Sequence, residues 1–172
     1  ENTFAQIPSQ FDLKYRWQSG TLNGAWLPLS STSQGQGFIT RVKNIAPFSS
    51  GLGTINFTFN GTPGNGVVNV NVDSYDATTL TSAGNTMLLA NPYPSAIDAN
   101  KFLTHTNNTE LGGTLFFWTS VTLYSGTGPY AYVDYASWNL SGGVGTSPAS
   151  APGNLSLKPN GKIAAGQGFF AQ

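Results

Sequence analysis

The chain has 172 residues, enough for one domain that buries about 70% of its extended surface and too few for a second full domain. Seven Lys and Arg balance seven Asp and Glu, and charged residues are only 8% of the sequence, which argues against nucleic acid as a partner because neutralising phosphates takes clustered basic side chains. Cysteine is absent, so disulfides, thiolate metal sites and cysteine nucleophiles are excluded.

In chain order the first element is a strand. Phe11, Leu13, Tyr15 and Trp17 alternate with Asp12, Lys14, Arg16 and Gln18, the period of two that a strand buried on one face requires. Gly35-Gln36-Gly37-Phe38 then opens a strand expected over 37–43. Ile55, Phe57 and Phe59 alternate with polar neighbours, as do Val68, Val70 and Val72, and the glycine-rich stretch 61–66 between them predicts a hairpin. A strand over 86–91 ends at Asn91-Pro92-Tyr93-Pro94, where two prolines remove backbone donors and turn the chain out of the sheet.

A single short helix is expected over 95–103, with Ser95 as N-cap, Asp98 near its positive end, and Ile97, Phe102 and Leu103 as apolar anchors. Strands follow over 114–121 and 130–139. The first of these holds Leu115-Phe116-Phe117-Trp118, apolar on both faces and therefore central in its sheet. Residues 142–161, rich in Gly, Ser, Ala and Pro, predict a long surface loop, and the last strand spans 163–171.

The tetrapeptide at 35–38 recurs as Gly166-Gln167-Gly168-Phe169. Its glycines are expected to allow a bulge or a positive φ where each strand begins, in equivalent places of two sheets. Neither copy leads into a helix or carries the Lys and Ser/Thr of a phosphate-binding loop. Eight or more short strands with one short helix predict an all-β fold, an antiparallel β-sandwich of jelly-roll type, as a single domain over residues 1–172.

The candidate chemistry is sparse. His105 is the sole histidine and lies among Thr104, Thr106, Asn107 and Asn108; without a Gly-x-Ser-x-Gly elbow it defines no triad, and one histidine does not make a metal site in a cysteine-free chain. A glycosidase needs two carboxylates flanking a sugar bond; with Glu1 at the terminus, Glu110 in a polar loop, Asp12 solvent-facing on its strand and Asp98 at the helix start, only Asp73, Asp76 and Asp134 remain to assign. Nothing in their spacing marks catalysis, so the chain is read as non-enzymatic. Asp73-Ser74-Tyr75-Asp76 reads foremost as a strand-ending turn, and alternatively as oxygen ligands for calcium; no other cofactor is expected.

Aromatic residues are the informative excess, at 13%. Most are expected in the core, but the strand over 130–139 carries aromatic surface on both faces. Its even positions, Tyr130, Tyr132, Asp134 and Trp138, suit a sugar, whose C–H faces stack on rings while its hydroxyls hydrogen-bond. The competing reading is that the 142–161 loop covers this face.

No run approaches the ~20 apolar residues of a membrane span, and the first ten residues lack a basic start followed by an apolar stretch. The chain reads as a mature piece of a longer multi-domain protein.

The segment running from Leu88-Leu89-Ala90-Asn91-Pro92-Tyr93-Pro94-Ser95 to Phe102-Leu103 is followed by Gly113-Thr114-Leu115-Phe116-Phe117-Trp118-Thr119, by Asp134-Tyr135-Ala136-Ser137-Trp138-Asn139, and by Ile163-Ala164-Ala165-Gly166-Gln167-Gly168-Phe169-Phe170. In that order these marks resemble a module recurrent in large surface proteins of gliding and marine Bacteroidetes. From about Trp26 to the C-terminus the chain follows the pattern, including Gly35-Gln36-Gly37-Phe38 and Phe57-Thr58-Phe59-Asn60-Gly61-Thr62-Pro63. The resemblance implies export through the type IX secretion machinery, by way of a C-terminal sorting domain not present in this sequence. It implies an extracellular or cell-surface, adhesin-like setting and assigns no catalytic residue; together with the aromatic face, the expected partner is a glycan or another surface protein. The expected function is a non-catalytic surface module in adhesion or structure, with carbohydrate binding as the alternative.

Overall fold

The computed structural model describes residues 11–29, 31, 33–42, 64–71, 78–79, 81, 84–119, 134–146 and 157–172. In chain order its elements are β1 (Phe11–Gln18), β2 (Ala25–Pro28), β3 (Ile39–Val42), β4 (Met87–Ala90), β5 (Ile97–Asp98), α1 (Ala99–Leu103), a 3₁₀ turn at Thr106–Asn108, β6 (Thr114–Trp118), β7 (Tyr135–Asn139), β8 (Gly142–Val144), β9 (Lys162–Ile163) and β10 (Gly168–Ala171). They form a three-stranded sheet of order β2-β1-β3, a five-stranded sheet of order β4-β10-β6-β7-β8 and the pair β5-β9. Every pairing is antiparallel. The fold is all-β with one short helix. Of the strands expected from the sequence, residues 43, 55–60, 120–121 and 130–133 lie outside the described residues.

Period-two alternation assigns the two faces of the five-stranded sheet. Leu89, Leu115, Phe117, Phe169 and Ala171 point to one side, where Ala99 and Leu103 of α1 and Ile163 of β9 complete a buried cluster. Phe102 meets Phe169 edge-on, with centroids 5.4 Å apart. On the other side Phe170 receives Trp17 and Trp26 from the three-stranded sheet, at 6.0 and 6.1 Å, and Tyr135 at 5.8 Å. Trp17 also donates its indole N–H to the Thr86 carbonyl at 2.8 Å, which joins the two sheets. β6 is the middle strand of its sheet, as its unbroken apolar run predicts, with Leu115 and Phe117 buried and Phe116 and Trp118 half-buried.

Several boundaries differ from the sequence expectation. Asp98, not Ser95, caps the helix, because its Oδ1 accepts the Asn100 and Lys101 amides at 3.0 and 3.1 Å. Ile97 pairs with Ile163 as a strand, so the helix starts at Ala99. The 142–161 stretch is not one loop. Gly142, at φ +124°, reverses the chain so that β8 pairs back onto β7, and Thr146 and Leu157 form a further bridge. The strand expected over 163–171 is split into β9 and β10 by a turn at Gly166. In the expected hairpin, 55–63 and Val72 lie outside the described residues. Val68 and Val70 are half-buried and Asn69 and Asn71 exposed, an alternation that here forms no ladder. β2 was not among the expected strands.

Candidate functional site

A dense polar knot centres on Asn91, at the end of β4 and only 3% exposed. Its side-chain amide shares two N–H groups among the carbonyls of Ser95, Ile163 and Ala164 at 2.8, 3.0 and 3.1 Å, and its Oδ1 accepts the Tyr93 amide at 2.9 Å. Its backbone N–H donates to the Gln167 carbonyl and its carbonyl accepts from Gly166. A buried amide left unpaired is costly, so the site calls for a side chain carrying both donors and an acceptor at this reach. Tyr93 extends the knot outward, donating its hydroxyl to the Gly66 carbonyl at 2.7 Å, while the Gly64 amide donates to the Pro92 carbonyl at 3.3 Å.

The two Gly-Gln-Gly-Phe copies are the same device used twice. The Gln36 amide bonds the Ser33 carbonyl at 3.1 Å while its side-chain Oε1 accepts the Ser33 amide at 3.2 Å. Gln167 repeats this reciprocal pair on Ala164 at 3.0 and 2.8 Å. Gly35 at φ +81° and Gly166 at φ +70° occupy the third position of each turn, which a type II turn reserves for positive φ. The expectation of positive φ is met at the first glycine of each copy. The first copy runs into β3 of the three-stranded sheet and the second into β10 of the five-stranded sheet, and both also lie against β4, Gln36 bridging Leu89 and Gly168 pairing with Ala90.

Trp138 stands opposite Gly143 across β7 and β8 and packs against the buried cluster. A side chain at Gly143 or at Gly161 would collide with its ring, and its indole N–H donates to Asn100 Oδ1 at 2.9 Å. Nearby, Lys162 Nζ lies 2.6 Å from Asp98 Oδ2. That hydrogen bond, with the Lys101 amide, holds the Asp98 carboxyl below the usual aspartate range. His105 caps the 3₁₀ turn, its Nδ1 accepting the Asn107 amide at 3.2 Å.

Of the expected sugar platform, Tyr130 and Tyr132 lie outside the described residues. Asp134 is 2% exposed, and its carbonyl accepts both the amide and the hydroxyl of Thr119 at 2.8 and 2.7 Å. Burial, and secondarily the Asp134 charge, push the Tyr135 phenol above its ordinary pKa. Trp138 is half-buried on the face that meets α1. Even positions of β7 therefore face the core, because Ala136 and Trp138 pair opposite Phe117 and Leu115. Asp73 and Asp76 also lie outside the described residues. Among the described residues no three His, Asp or Glu side chains gather as a metal site, and no helix is long and apolar enough to cross a membrane. Sequence reasoning missed Asn91 as a hub and Asn100 as the partner of Trp138. An asparagine closing the apolar run Met87-Leu88-Leu89-Ala90 was the available signal for the first.

A family profile described as a domain of unknown function, DUF8693, matches residues 2–172. The chain belongs to that family. Neither a curated protein nor a solved structure matches it. The DUF8693 match takes in all of the described elements, including the Asn91 knot and both Gly-Gln turns.

Proposed function

We propose that this chain is a non-catalytic module of an exported bacterial surface protein, serving adhesion or structure outside the cell. The observation that supports this reading best is the use of Asn91, whose side-chain donors and acceptor are all bound to backbone of the same chain. Gln36, Gln167, Asp98 and His105 are likewise held by local backbone amides. The polar groups of the recurrent motifs thus act as scaffold, which suits a domain whose low charge and high Ser, Thr and Asn content belong to extracellular β proteins. Family marks of this kind report fold before activity.

The direct experiment is protease shaving and antibody labelling of intact cells that make the parent protein. Labelling at the surface or recovery from the medium is expected; a protein protected inside intact cells would contradict export. A glycan array probed with the chain, with calcium and again with a chelator, separates the roles. Saturable glycan binding would favour carbohydrate recognition, and silence from a folded sample would favour a structural or protein-binding role.

A further inference from the structure

The sequence contains four Asn-Gly steps, at Asn23, Asn60, Asn65 and Asn160, and Asn60 lies outside the described residues. In such a step the backbone nitrogen of the glycine can attack the asparagine Cγ. A C–N bond forms, the bond from Cγ to Nδ2 breaks, and ammonia leaves a five-membered succinimide. Water then opens the ring at either carbonyl, giving aspartate or an isoaspartate whose backbone runs through the former side chain. Glycine favours the reaction because it has no Cβ to obstruct ring closure.

The three described steps differ in how the fold restrains them. At Asn23 the attacking nitrogen is engaged, since the Gly24 amide donates to the Thr21 carbonyl at 3.0 Å, and Gly24 lies beneath the ring of Trp17. At Asn160 the carboxamide oxygen accepts the Lys162 amide at 3.0 Å. Gly161 there is buried under Trp138, with its carbonyl bound by the Ala99 amide at 2.9 Å. Closing either ring would move a peptide pinned by a tryptophan. Asn65 is exposed, and among the described residues neither its carboxamide nor the Gly66 amide makes a hydrogen bond. Gly66 has φ +75° and open space where a side chain would project.

We propose that Asn65 is a site of spontaneous deamidation, and that the fold directs this modification to it in preference to Asn23 and Asn160. The product falls between the two contacts that hold this segment to the proline turn, the Gly64 amide on Pro92 and the Gly66 carbonyl on the Tyr93 hydroxyl. Isoaspartate there lengthens the backbone between them, and either product adds a negative charge to a chain of zero net charge.

Peptide mapping by mass spectrometry of the folded chain, sampled over days at mildly alkaline pH, reads the three positions separately. Deamidation at Asn65 is expected severalfold faster than at Asn23 or Asn160, and Asn65→Gln, which would need a larger ring, should lose it. Equal or faster modification at Asn23 or Asn160 would overturn the proposal. The same time course in denaturant checks the cause. The three rates should converge once the tryptophans no longer cover Gly24 and Gly161, and an unchanged preference for Asn65 would assign it to local sequence and overturn the role of the fold.

Discussion

Tyr135 and Asp98 are perturbed in opposite directions, and each sets a pH limit. The Tyr135 phenol is raised by burial and by the Asp134 charge, so the folded state holds its proton more tightly than the unfolded chain does. Its contribution is fully present below the ordinary tyrosine value of about 10 and is lost as pH rises through the higher folded value. Spectrophotometric titration should show one tyrosine ionising late, together with alkaline loss of stability that Tyr135→Phe removes. Asp98 is lowered, first by Lys162 and then by the helix amides, so its contribution is present above the ordinary aspartate value and disappears as acid protonates it. Asp98→Asn keeps an acceptor for the cap but loses the ion pair, and is expected to reduce acid sensitivity with less damage than Asp98→Ala. Urea titrations at several pH values measure both.

At the scale of elements, the repeated turn depends on glycine. Gly35 and Gly166 hold positive φ, which an L-residue adopts at a cost of about 1 kcal/mol or more. At Gly35→Ala a steric clash adds to this cost, since the new methyl would also meet Val70. Gln167→Ala and Gln36→Ala each strip one amide of its side-chain acceptor and should cost about 0.5–1.5 kcal/mol by chemical denaturation. Trp138→Ala removes a ring that covers Gly143 and Gly161, with a loss of roughly 2–4 kcal/mol expected.

Elements are also where the limits of the sequence are clearest. The β1 alternation, the central apolar strand at Leu115-Phe116-Phe117-Trp118 and the identical tetrapeptides were legible because they are local patterns. The cap was misplaced because Ser95 and Asp98 are both good N-caps, and the choice was made by Ile97 pairing with Ile163, 66 positions away. The sequence leaves the even face of β7 open between a platform and a covered surface, because alternation gives two faces without saying what each one meets. That was settled by the register of Ala136 on Phe117 and Trp138 on Leu115. β8 was hidden in a glycine-rich run, since Gly142 and Gly143 carry no hydrophobic signal and the strand exists through its pairing with β7.

Across the whole molecule, two segments 72 positions apart in sequence meet at one amide. Asn91 ties the end of β4 to the proline turn through Tyr93 and Ser95, and to the end of β9 and the residue after it through Ile163 and Ala164. The second Gly-Gln turn closes on its backbone, and β10 then enters between β4 and β6. The segment from Asn91 to Ser95 builds this junction, with the Asn91 side chain bound to three carbonyls and one amide of the same chain. Asn91→Ala is the most direct test, measured by equilibrium urea unfolding beside the wild-type chain. Loss of hydrogen bonds to three carbonyls and one amide in a buried setting predicts a decrease of about 2–4 kcal/mol at unchanged m-value. A variant that keeps wild-type stability within about 0.5 kcal/mol would contradict the account, because a change that small is ordinary for a surface position outside any structural network.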